Sequence, residues 1–149
     1  MLALVSAASV GTAGTATSGS LSIEDGRGTV TIKGSGVVIG RLERGEIQIV
    51  DLTPLDQWSP RLNGVPRGKV VWTRGKTVNF YVPGGRYRIV VKGEGIAISA
   101  RGQGVATLDG RPDPVGDAGT YTVGDEDEQP VPEAVERIVF GSALAKAAQ

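Results

Sequence analysis

The sequence predicts an all-β domain, a β-sandwich or flattened barrel of about eight to ten strands with a two-fold internal repeat. Three observations carry that expectation. Glycine fills 23 of 149 positions, about twice its usual ~7% share. Val, Ile and Thr are plentiful, whereas aromatic residues make up only 5%. From Ser20 onward apolar residues recur at every second position, the period of a strand with one face buried and the other in water. A chain of this length buries about 68–70% of its unfolded surface, so a core can form without a disulfide or a metal.

Leu21 and Ile23 alternate with polar neighbours, and Asp25-Gly26-Arg27-Gly28 then reads as a hairpin turn. Val30 with Ile32, Val37 with Ile39, and Ile47 with Ile49 give three more strands. Leu52 to Gly68 contains three prolines and no period, so it reads as a long surface loop. Strands resume at Val70–Trp72, Val78–Val82, Tyr87–Val91, Ile96–Ala100 and Val105–Leu108. Beyond a Pro/Asp/Gly loop lie Thr120–Val123 and Arg137–Phe140. Residues 20–141 are thus one β domain, followed by a tail at 142–149 with helical propensity.

Sliding the chain by 59 positions lays Gly26–Asp51 over Gly85–Gly110 with seven identities in 26 positions. The shared motif is Ile32-Lys-Gly-Ser-Gly-Val37 against Val91-Lys-Gly-Glu-Gly-Ile96. Two copies predict a pseudo-symmetric fold, since a solenoid needs three or more. The paired glycines predict bulges that bend a strand from one sheet to another. On this reading Ile39 and Ile98 are equivalent core positions.

Residues 1–19 stand apart, without a single charge. The apolar run Leu2–Val10 before a small-residue tract reads as a truncated signal peptide, with Gly14-x-Ala16 as its cleavage site. The basic start of such a peptide is missing, so a disordered Ala/Thr arm is the other reading. Export, to the cell surface or beyond, is the preferred expectation. The run is too short to span a membrane.

Two absences bound the chemistry. Without cysteine there is no thiol nucleophile, disulfide or thiolate metal site, and without histidine the commonest general base and metal ligand are gone. The expectation is a protein that is not an enzyme and that uses no cofactor and no metal. The carboxylates Asp109, Asp113, Asp117 and Asp125–Glu128 suit Ca²⁺ by chemistry. They lack any calcium-loop spacing and read as a solvated loop. No pair of them is placed by sequence for glycoside hydrolysis. Gly34-x-Gly36, Gly93-x-Gly95 and Gly102-x-Gly104 precede alternating strands, not helices, so they read as turns or bulges and not as phosphate cradles.

The formal net charge of zero hides a segregation of signs. Residues 57–108 hold nine Lys/Arg and one acid, and residues 109–136 hold nine Asp/Glu and one base. The basic part supplies the candidate ligand-binding residues Arg74, Lys76, Arg86 and Arg88. With Val78, Phe80 and Val82 facing inward, Tyr81 faces out and joins them as the aromatic of a basic sheet face, the combination that single-stranded nucleic-acid binding uses. Trp58, in a proline-rich loop beside Asp56 and Gln57, reads as a sugar-stacking platform or as a cap over an open end of the fold. The acidic loop Asp125–Glu128 is expected to lie across this basic face or to dock on that of another copy.

The run from Pro83 to Gly110, PGGRYRIVVKGEGIAISARGQGVATLDG, together with Gly40–Gly45 and the opening Ser20–Gly28, resembles an uncharacterised group of small exported all-β proteins of high-GC Gram-positive bacteria. The resemblance covers Ser20 to Phe140 and implies export and an all-β fold, but no activity and no functional residue. Together these observations predict an exported, non-enzymatic binding or cell-surface structural module. Carbohydrate or anionic wall-polymer binding is the alternative, and nucleic-acid binding a third. The expected partner is a cell-wall polymer or a protein at the cell surface.

Overall fold

Alternating Val, Ile and Leu residues draw the chain into seven strands of one antiparallel sheet in a computed structural model that describes residues 19–141. The strands are β1 (Gly19–Asp51), β2 (Arg61–Leu62), β3 (Val70–Val82), β4 (Arg86–Gly110), β5 (Thr120–Val123), β6 (Gln129–Pro130) and β7 (Glu136–Phe140). Their order is β2-β3-β1-β4-β7, with β5 paired to β1 and β6 paired to β5. The signal-peptide reading of the first residues and the tail at 142–149 fall outside the described residues. Among the described residues no helix is long and apolar enough to cross a membrane.

The all-β expectation holds, but its strand inventory does not. Four expected strands merge into β1, three into β4 and two into β3. The hairpin expected at Asp25–Gly28 is absent, because β1 runs straight through it. The glycine clusters mark crossings instead of turns. Gly45 and Gly93 face each other across the β1–β4 ladder with φ of 144° and 153°. A Cβ on Gly45 would strike the Lys92 carbonyl, and one on Gly93 the Arg44 carbonyl. Two backbones this close leave room for no side chain, and left-handed φ is free only to glycine.

These crossings let β1 and β4 pair twice. Residues 19–35 of β1 run against residues 86–102 of β4, and residues 28–51 run against residues 87–110. Val30 therefore lies between Val91 and Leu108, while Val91 lies between Val30 and Ile47. The buried side chains of both pairings belong to one core cluster, which includes Leu21, Ile32, Leu42, Ile49, Ile89 and Ile98.

Alternation slips twice in β1 and once each in β3 and β4. In β1 the inward set passes from Leu21 and Ile23 to Gly26, Val30 and Ile32, and later from Val38 and Leu42 to Ile47 and Ile49. In β4 it passes from Ile89 and Val91 to Ile96 and Ile98, and in β3 from Val71 to Val78 and Phe80. The slips are neighbours in the ladders: Arg44 pairs with Glu94 and Lys76, and Arg27 pairs with Glu94. Non-glycine left-handed residues mark the line, Asp25 at φ 51° and Thr77 at φ 52°.

This line corrects the expected equivalence of Ile39 and Ile98. Ile98 is 2% exposed, but Ile39 is 58% exposed. Within the repeated segments, the slip in β4 comes before Ile98, whereas that in β1 comes after Ile39, so the two isoleucines point to opposite faces.

The sheet does not close, which corrects the barrel form of the expectation. No ladder joins β7 to the β2–β3 edge. Both edges are blunted: β2 is two residues long, and β7 opens with Glu136 and Arg137.

Candidate functional site

The outer side of the first half of β4 presents Arg86, Arg88, Val90 and Lys92, which alternate with buried Tyr87, Ile89 and Val91. On one flank these residues pair with Ser35, Lys33, Thr31 and Thr29 of β1. On the other flank Arg88, Val90 and Lys92 pair with Val50, Gln48 and Glu46, which pair in turn with Val70, Trp72 and Arg74 of β3. One sheet face thus carries Lys33, Arg74, Arg86, Arg88 and Lys92 around a single exposed indole.

Lys33 and Arg88 stand directly opposite each other. Like charges at such a position are destabilising, and no ion pair among the described residues relieves Lys33, Arg86, Arg88 or Lys92. Arg74 is different, because its guanidinium reaches Glu46 at 3.7 Å. Trp72 is 52% exposed. With Glu46, Gln48, Val90 and Lys92 it lines a depression of about 150 Å³. An indole beside an amide, a carboxylate and an ammonium group can stack on a ring while its neighbours hydrogen-bond the substituents.

The sequence-predicted residues divide accordingly. Arg74, Arg86 and Arg88 lie on this face. Lys76 pairs with Arg44 on the line where alternation slips. Tyr81 lies beyond that slip, paired with Ile39 and Arg61, so it is away from Arg88 and Lys33. Trp72 takes the place expected of Tyr81. Counting inward positions back from Phe80 through an unbroken strand would bury Trp72, and the slip at Gly75–Thr77 turns it outward.

Trp58 packs over Gly84, where a Cβ would meet its ring at 3.2 Å, and remains 43% exposed. Its loop is tied locally. The Thr53 amide donates to Asp51 Oδ1 at 2.9 Å, the Thr53 hydroxyl to Asp56 Oδ2 at 2.7 Å, and the Trp58 amide to Asp56 Oδ1 at 2.9 Å. The Arg86 amide donates to Thr53 Oγ1 at 3.1 Å, which anchors this loop at the start of the basic strand.

The acids are spent elsewhere. Asp113 Oδ1 accepts the amides of Val115 and Asp117 at 3.0 and 2.9 Å, and Asp117 Oδ1 accepts that of Gly119 at 2.8 Å. Asp125–Glu128 occupy the turn between β5 and β6, where Glu128 accepts the Thr120 hydroxyl at 2.9 Å. Among the described residues they form no ion pair with the basic face, so the expected docking within one chain does not occur. No three carboxylates converge on a metal position among the described residues.

Beneath the face, burial pushes the Tyr87 phenol above its ordinary 10.0. Its hydroxyl has no hydrogen-bond partner. The Tyr121 phenol is also raised, first by burial and then by Glu136 and Glu126. No protein-family model, curated protein or solved structure matches this chain.

Proposed function

We propose that this chain is a non-enzymatic binding module acting outside the cell, and that its basic outer face takes an anionic polymer of the wall-polysaccharide kind. The observation that carries the reading is the Lys33–Arg88 pair. Two cations held opposite each other cost stability unless a ligand supplies the missing negative charge. Trp72 beside them favours a polymer with rings to stack on. The absence of histidine and cysteine supports a binding role over a catalytic one. Export rests on the apolar opening segment and on the resemblance to exported proteins.

Two finer features of architecture belong to the same reading: the sheet works as a two-layered sandwich, and the layers are related by a two-fold repeat. The double pairing of β1 and β4 around one core supports the first. For the second, the 59-residue shift carries the ladder of 28–51 with 87–110 onto itself. It also turns the pair Gly34–Gly104 into the pair Gly45–Gly93.

Heparin serves as a soluble polyanion for the test, with binding read by titration calorimetry so that the same readout serves every variant. Lys33→Glu should weaken binding at least about tenfold and raise stability by ~0.2–1 kcal/mol through a new cross-strand ion pair. Trp72→Ala should weaken it while leaving retention on a plain cation exchanger unchanged. Unaltered heparin affinity in both variants would sink the proposal. Single-stranded DNA bound more tightly than any anionic glycan would move the reading to nucleic acid.

A further inference from the structure

A second concentration of cations lies where the long strands cross. Arg27, Arg44 and Arg111 line a cleft of about 390 Å³ with Glu94 between them. Its floor is the backbone of Gly28, Gly45 and Gly93. No side chain can grow there, because a Cβ at each would strike a facing carbonyl oxygen, that of Asp109 at Gly28. The hollow is therefore a fixed property of the crossing.

The charges around it do not balance. Glu94 Oε2 receives Arg27 Nη1 at 2.6 Å, and Glu94 Oε1 stands 3.9 Å from Arg44 Nε. The Arg111 amide donates to the Arg27 carbonyl at 2.8 Å, which fixes its backbone at the rim. Its guanidinium has no ion pair among the described residues. Of three guanidinium groups at the cleft, only two engage its one carboxylate. A guanidinium fork matches the two oxygens of a carboxylate or phosphate, and low-dielectric walls strengthen the attraction.

We propose that this cleft binds a small oxyanion, a phosphate or carboxylate group, through Arg44 and Arg111, with Glu94 neutralising Arg27 and competing for Arg44. The site adjoins the Lys92 end of the basic sheet face, with Thr29 at the boundary, and its arginines do not depend on that face's ligand. A volume at the lower end of the usual ligand-pocket range admits the anion together with a sugar-sized carrier. A phosphorylated or carboxylated sugar unit, free or at a polymer end, is the ligand class that fits.

The full chain, ¹⁵N-labelled, would be titrated at low salt with inorganic phosphate, glucose 1-phosphate and an anionic polymer, reading the arginine Nε–H signals. Saturable shifts of Arg44 and Arg111 with either small probe identify a free ligand, and shifts with the polymer alone identify a group carried on it. Arg111→Gln should cost at least about tenfold in affinity, with an unchanged melting curve because the side chain is exposed. Glu94→Gln should tighten binding by removing the internal competitor. Arg61→Gln deletes the same charge at a distance and should change nothing, and Lys33→Glu should leave the Arg111 shifts intact whatever it does to the sheet face. No saturable shift with any probe, or equal losses for Arg111→Gln and Arg61→Gln, would overturn the site.

Discussion

Replacing Ile98 and Ile39 separately by alanine tests the slip in alternation most directly. The two positions match in the repeat and carry the same side chain, so only their environments differ. Ile98 is 2% exposed and Ile39 58% exposed. Truncation of isoleucine removes three carbons, worth about 0.8 kcal/mol each when buried, and leaves a cavity whose cost adds to the ~2.4 kcal/mol of transfer. Ile98→Ala should therefore lose about 2–5 kcal/mol. Ile39→Ala forfeits less than half of the transfer contribution and opens no cavity, so its loss should stay below about 1 kcal/mol. Urea unfolding followed by tryptophan fluorescence gives both values, with an unchanged m-value confirming that the unfolded state is not involved. Comparable losses at the two sites would refute the argument, since they would require Ile39 to face the core.

Glycine substitutions separate close approach from conformational strain. Gly93→Ala should cost more than the ~1–3 kcal/mol of strain alone, because its Cβ would also strike the Arg44 carbonyl. Gly116→Ala, with φ of 87° and open space around it, should cost about 1 kcal/mol; equal melting temperatures for the two would contradict the crossing. The phenol of Tyr87 predicts alkaline sensitivity. Folding raises its pKa above the ordinary 10.0, so the unfolded chain ionises first and binds fewer protons. Its stabilising contribution is complete below about pH 10 and is lost as pH rises further. Tyr87→Phe should flatten that alkaline decline and, by deleting an unpartnered buried hydroxyl, leave stability at neutral pH equal or higher. A variant that melts earlier at neutral pH would show that the hydroxyl is bonded.

Period-two patterning made most strand positions legible, down to Thr120–Val123, which forms β5 as expected. What it could not convey is where one strand ends. A glycine pair looks the same in a sequence whether it turns a hairpin or lets two backbones touch, and only the facing strand decides. The slip was hidden for the same reason. It occurs at Asp25, Arg44, Gly75–Thr77 and Gly93–Gly95, positions united by ladder neighbours and not by any shared motif. The charge of the outer face was readable because Arg86, Arg88 and Lys92 alternate within one strand, whereas its aromatic was misassigned because Trp72 lies across a slip. The arginine cleft was out of reach, since it gathers residues 27, 44, 94 and 111 from three separate parts of the chain.

The double pairing of β1 with β4 also sets the order of events during synthesis. Ile23 waits for Ile98 and Val30 for both Val91 and Leu108, and the earlier pairing with β3 reaches only Val38–Val50 of the first strand. At about 5–20 residues per second, the chain between Asp51 and Arg86 alone keeps the ribosome occupied for roughly 2–7 s. Throughout that interval thirty-three residues of alternating apolar strand remain without their principal partner. Assembly must then proceed through contacts distant in sequence, which makes it slow by the standards of small domains. The nascent chain is consequently at its most vulnerable to mispairing just before Arg86 emerges, and a holding chaperone would have most to do there.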